Sequence, residues 1–278
     1  MIKMNVMKRI AIPFDGDHFP HQGLEFVRRL NEVSPVWLSA AFVPEVDYSA
    51  LWTMAGGIAG AVYVPETLDE DEVIARNGAL LEEFCKRHLI KLTMHKDRLE
   101  FALPLVRKEA LFSDLIVLSG RHFFDNIDKR QPNSYLKDIL HTAESPVLLL
   151  PDTVYLPEHI VLAYDGTPAS VTAIKQFAYI FPEFADRDVT LVYLNGDREA
   201  PLPDQEYVEE LVTANFARPR LVKLRMDRND FFSVWLPGRE RPWLVTGSYG
   251  RGDMSQLFNR SFVSGLIREH KVPIFIKH

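Results

Sequence analysis

Two stretches of this chain carry nearly the same pattern 127 residues apart: NSYLKDILHTAESPVLLLP at Asn133–Pro151 and RSFVSGLIREHKVPIFIKH at Arg260–His278. Each has a Ser (Ser134, Ser261), then about three turns of helix-like spacing, then Pro146 or Pro273 and an apolar strand. The strand openings repeat as well. KRIAIPFDGD (Lys8–Asp17) and EHIVLAYDGT (Glu158–Thr167) both run into Asp-Gly, with Asp15 and Asp165 separated by 150 positions. A chain that repeats at this period builds one unit twice. At 278 residues and 47% apolar content it can bury a core in each unit. The boundary falls in the proline-bracketed stretch Pro151–Pro157, giving domains 1–151 and 152–278.

Within each unit, strand-like and helix-like segments alternate. The first half reads as strand Arg9–Phe14, helix Phe19–Asn31, strand Val36–Val43, a helix opened by a Thr67/Glu70 capping pair and reaching His88, strand Leu92–His95, helix Leu103–Leu111 and the buried strand DLIVLS. The second half reads as strand His159–Tyr164, helix Ala169–Tyr179, strand Asp188–Leu194, helix Asp204–Phe216, strand Arg220–Arg225, helix Asp230–Leu236 and strand Trp243–Thr246. Such alternation predicts an α/β fold of two tandem, open, parallel Rossmann-like sheets. Their ligands belong at strand carboxyl ends where the strand order reverses. Asp15 and Asp165 stand at two such ends. The first half is longer because of its Pro44–Pro65 connection, read as a tolerated insertion, with a lid or a partner contact as the alternatives.

Charge and composition narrow the function classes. The net charge is −6 and the pI about 5.9, with basic residues scattered, so no footprint for nucleic acid is present. No apolar run reaches transmembrane length and the N-terminus has no secretory apolar region, so a cytoplasmic protein without a membrane partner is expected. Cys85, the one cysteine, lies on the apolar side of a helix with Leu81 and Phe84, and is expected to be a buried structural thiol. Trp235 and Trp243 are expected in the core, and Asp15, Asp17, His18 and His21 as a solvated helix start rather than a metal cluster.

The stretch richest in chemistry is LVTGSYGRGDMSQLFNRSF, Leu244–Phe262. A buried strand is followed by Gly247, Gly250 and Gly252 and then by a helix near Ser261. Glycines let backbone N–H groups approach an anion, and a helix start offers unpaired N–H groups. Glycines after a strand also make ordinary turns, and spacing alone does not separate the two.

Over both halves the chain resembles the universal stress protein family, with the adenine nucleotide α-hydrolase-like form of the Rossmann architecture and a pseudo-dimer of repeats. Its nucleotide-binding members carry an Asp after the first strand and G-x2-G-x9-G-[ST] after the fourth. Here Asp165, Gly247, Gly250 and Ser261 match, while Arg260 occupies the third glycine place. The resemblance implies ATP or another adenine nucleotide, with Mg²⁺. Its base would lie between the first two strands of the second half, its ribose near Asp165, and its phosphates along Gly247, Gly250 and Ser261, beside Arg260 and Phe262. Arg260 either blocks the backbone approach or replaces it with a guanidinium contact. The first half keeps Asp15 and Ser134 but has Ser119, His122 and Asn133 at the glycine places and one extra residue between, so its expected role is that of pseudo-symmetric partner.

Three function classes follow. The first is a nucleotide-binding stress-response regulator, and the second a ligand-independent assembly module of the same fold. The third, an enzyme, is disfavoured, because no SGGxDS signature, nucleophile elbow or spaced triad is present; slow ATP hydrolysis is the one version retained. A homodimer formed by edge addition at Pro273–Lys277, and a further protein partner, complete the expectations.

Overall fold

The computed structural model describes residues 7–14, 19–43, 68–95, 102–119, 134–194, 201–224, 234–247 and 271–277. The first half contains β1 (Lys8–Phe14), α1 (His21–Asn31), β2 (Val36–Phe42), α2 (Leu68–Arg87), β3 (Lys91–His95), α3 (Ala102–Leu111), β4 (Leu115–Ser119), α4 (Ser134–Thr142) and β5 (Val147–Leu150). The second contains β6 (His159–Tyr164), α5 (Pro168–Ile180), a short 3-10 turn (Pro182–Phe184), β7 (Asp188–Leu194), α6 (Gln205–Asn215), β8 (Pro219–Leu224), β9 (Pro242–Gly247) and β10 (Ile274–Lys277). These match the sequence expectation in type and order. The Pro44–Pro65 connection, Thr67, most of Asp230–Leu236 and the helix expected near Ser261 lie outside the described residues.

The strands form one ten-stranded sheet in the order β3-β2-β1-β4-β5-β10-β9-β6-β7-β8. Every half is internally parallel, and the order is the same read outward from the centre. The halves meet through an antiparallel pair, β5 with β10, in the register Ile274↔Leu149, Phe275↔Leu148, Ile276↔Val147. This pair lies at the centre of the pseudo-dimer. It also corrects the expected homodimer contact: β10 has β5 on one side and β9 on the other, so its backbone is already paired and no edge remains for another copy. Among the described residues, the sheet ends at β3, five residues long with Lys91 and His95, and at β8, which opens on Pro219 and carries Arg220 and Lys223. Prolines, short length and charge are what discourage edge pairing.

Side chains alternate between two apolar layers because successive residues of a strand point to opposite faces. Ile10, Ile12 and Phe14 pack under α1 and α2, and Ile160, Leu162 and Tyr164 under α5 and α6, in one layer. Ala11, Ile116, Leu118, Val161, Leu244 and Ile274 join Val106, Leu136 and Ile139 of α3 and α4 in the other. With both faces covered, the strands read as continuous apolar runs. The first layer passes from one half to the other. Phe26 of α1 packs 5.8 Å from Trp243 of β9, which also meets Phe181 and Phe184 at 5.7 and 5.8 Å, and Phe177 packs on Phe275 at 5.3 Å. Lys8 reaches across to Glu183 at 2.9 Å. Trp243 is thus core, as its apolar setting predicts, and Trp235 packs against the second layer under Arg239. Cys85 is buried, and burial pushes its thiol up to about 11.

Candidate functional site at the second-half strand ends

In the second half the strand order reverses between β6 and β9. β6 has β7 on one flank and β9 on the other, all parallel, so their carboxyl ends open at a topological switch point. Asp165 follows β6 directly and Gly247 ends β9. Two motif arms more than eighty residues apart in sequence therefore meet at one place.

The Asp165 arm is a tight turn. Gly166 takes a φ of +81°, which a side chain would strain. Asp165 Oδ1 accepts from the Thr167 backbone N–H at 2.9 Å and from the Thr167 hydroxyl at 2.6 Å. Thr167 is in turn the N-cap of α5: its hydroxyl oxygen accepts from Ser170 N at 3.3 Å, and Pro168 occupies the first helical position. The chain thereby passes from strand to helix within three residues. Asp165 keeps a half-exposed carboxylate at the crevice.

This sharp turn brings the start of α5 against the end of β9. A β-carbon on Gly247 would stand 2.4 Å from the carbonyl carbon of Ala169, 2.5 Å from Ser170 N and 2.6 Å from Ala169 O. Those are backbone atoms, so the missing side chain at 247 is what allows helix and strand to touch. In the first half α1 begins only at His21, behind a Pro20 cap with no side-chain hydrogen bond, and Ser119 ends β4 where Gly247 ends β9. The later helix start there is consistent with a side chain at that strand end.

Gly250, Arg260, Ser261 and Phe262 lie outside the described residues, as do Asp15, His122 and Asn133. Of the expected nucleotide residues, the structure therefore brings together Asp165 and Gly247. It adds three that sequence reasoning missed. Tyr164 donates its hydroxyl to the Pro203 carbonyl at 2.9 Å, and the Pro203 ring packs on Gly166, with Cβ and Cγ at 2.8 and 2.9 Å from where a β-carbon there would be. Lys277 stands in register with Gly247 on β10, and its ammonium donates to the Glu144 carbonyl at 2.7 Å; burial lowers its pKa. Neither contact has a local sequence signal, since Tyr164 is 39 residues from Pro203 and Lys277 is 133 from Glu144.

A second polar cluster lies in the first half. Glu109 of α3 is 5% exposed and accepts from the Ser39 hydroxyl at 2.8 Å and from His95 Nδ1, with Arg9 4.0 Å away. Ser39 and His95 both point at the carboxylate rather than at each other. The buried Glu109 carboxylate thus fastens α3 to β2 through Ser39 and to β3 through His95. Among the described residues, no group of three His, Cys, Asp or Glu is arranged to hold a metal, and no helix is long and apolar enough to cross a membrane.

No family model matches the sequence, and no curated protein does. Solved structures match along the whole chain. A universal stress protein from Archaeoglobus fulgidus DSM 4304 superposes over 97% of this chain and 95% of its own, with a TM-score of 0.67 and 16% identity. The fold is that of a universal stress protein. A putative universal stress protein from Pseudomonas aeruginosa UCBPP-PA14 covers 98% and 94%, at TM-score 0.52 and 15% identity. A functionally unknown protein from Pseudomonas aeruginosa PAO1 covers 98% and 93%, at 0.52 and 14%. Because the coverage is nearly complete in both directions, the fold of the whole chain, and not of one half alone, is what these chains share.

Proposed function

We propose that this chain is a stress-response regulator of the universal stress type whose second half takes an adenine nucleotide, ATP with Mg²⁺, at the carboxyl ends of β6 and β9. The convergence of Asp165 and Gly247 at the switch point carries this reading. Asp165 offers a half-exposed carboxylate of the kind that accepts from ribose hydroxyls. The phosphates would fall to Gly250, Arg260, Ser261 and Phe262. Binding, not turnover, is the output. Occupancy stabilises one state and so shifts assembly or affinity for a protein partner in the cytoplasm. A homodimer, where formed, uses surfaces other than β10.

Calorimetric titration with Mg-ATP tests this. The natural protein should bind, Gly250→Val should not, and Arg260→Gly should reveal whether the guanidinium helps or hinders. Silence from both the natural protein and Arg260→Gly overturns the reading. The alternative is a ligand-independent assembly module. It is favoured by the Pro203 ring seated on Gly166, which fills space beside the strand end with the chain itself.

A further inference from the structure

The segment leading into α6 packs on the carboxyl end of β6. Leu202 is buried in the core beside Val208 and Val212, and two residues later Asp204 takes a left-handed φ of 47°. Between them, Pro203 makes the two contacts described above, its ring on Gly166 and its carbonyl on the Tyr164 hydroxyl. Burial first, then the carboxylates of Asp204 and Asp165, raise the pKa of Tyr164, so its hydroxyl stays a donor. A short stretch is thus anchored in the core at one end, turned sharply at the other, and held on the strand end that carries Asp165.

We infer that residues 201–204 form an internal strap that, when closed, occupies the β7 side of the crevice at the carboxyl end of β6, where the base is expected, and competes with a nucleoside for it. The inference rests on the nucleotide reading above. A ligand that enters only the open form binds with an affinity reduced by the open fraction, and loosening the strap recovers it. The anchoring contacts are a neutral hydrogen bond and a ring packed on a glycine, both modest in net worth. The strap therefore sets a threshold rather than a permanent block. Its two anchoring contacts carry no charge, so loosening them should act in the same direction on ligands with and without phosphates.

Adenosine and Mg-ATP are the probes. Tyr164→Phe keeps the buried ring and deletes the donor, and it should tighten both ligands about fivefold, the factor of one net hydrogen bond. Pro203→Gly should act in the same direction. Amide exchange at Leu202 and Asp204 should speed up in Tyr164→Phe without ligand, and in the natural protein on adding ligand. Melting curves show whether each variant is folded. Equal affinities in natural and variant proteins, or ligand that slows exchange at Leu202 and Asp204, would sink the strap and leave the nucleotide site standing. Absence of binding by the natural protein and Arg260→Gly alike removes the nucleotide reading and the strap with it.

Discussion

A methyl group at position 247 would press on the Ala169–Ser170 peptide from 2.4 to 2.6 Å, and peptide backbone in a capped helix start has little room to move. Gly247→Ala should therefore cost about 1–3 kcal/mol, as overpacking does, read as a lower denaturant midpoint at unchanged m; an unchanged midpoint would show that the helix start yields. The consequence for function is practical. Loss of ligand in a Gly247 variant cannot separate a phosphate contact from a displaced α5, which is why Gly250 is the better probe. His159 offers a second prediction at this scale. Burial, then Arg239, lower its pKa from the ordinary 6.5, with Asp188 opposing and Arg220 assisting, and its Nε2 pairs with the Thr190 hydroxyl at 2.9 Å. The folded state thus binds its proton less readily than the unfolded one. Its stability term is intact above about pH 6.5 and falls as pH drops through the unfolded value toward the lowered folded one. The stability gap between His159→Gln and the natural protein should shift in the variant's favour between pH 7.5 and 5.5. A pH-independent gap would contradict the lowered pKa.

At the scale of elements, α5 shows how far local signals reach. Thr167 before Pro168, followed by Val171, Ile174 and Ala178 at helical spacing, marks the start and buried face of the helix, and the structure adds one residue at each end. Thr167→Ala should cost about 1 kcal/mol through the lost cap, read as a lower denaturant midpoint; an unchanged midpoint would show that the Thr167 hydroxyl does not cap α5. The strands β6 and β7 fall at the positions their mostly apolar runs predict, because strands buried on both faces are predominantly apolar. The reason for glycine at 247 and serine at 119 was not legible in this way. It depends on how soon the helix after the first strand begins, and on which strand then lies beneath it. The strap was equally hidden, since Pro-Asp before a helix reads as an ordinary helix start until Tyr164 and Gly166 are found on its other side.

For the whole molecule, the repeat period announced two units, and their fusion into one sheet with a shared aromatic layer sets how they behave. Phe26, Phe177, Phe181, Phe184, Trp243 and Phe275 come from both halves and form one buried group. Phe26→Ala removes a first-half side chain from the face of Trp243 and should cost about 3–5 kcal/mol, lowering a single cooperative transition followed by both tryptophan fluorescence and far-UV dichroism. Two separated transitions would show that the halves unfold independently. The sequence by itself determined the repeat, the alternation of strands and helices and the positions of Asp165 and Gly247, because periodicity, caps and turns act over a few residues. Only the tertiary structure decided that β10 is interior, that Gly247 serves helix packing, and that Pro203 lies over Gly166. Each depends on which distant backbone arrives next to it, and no local pattern of side chains encodes that neighbour.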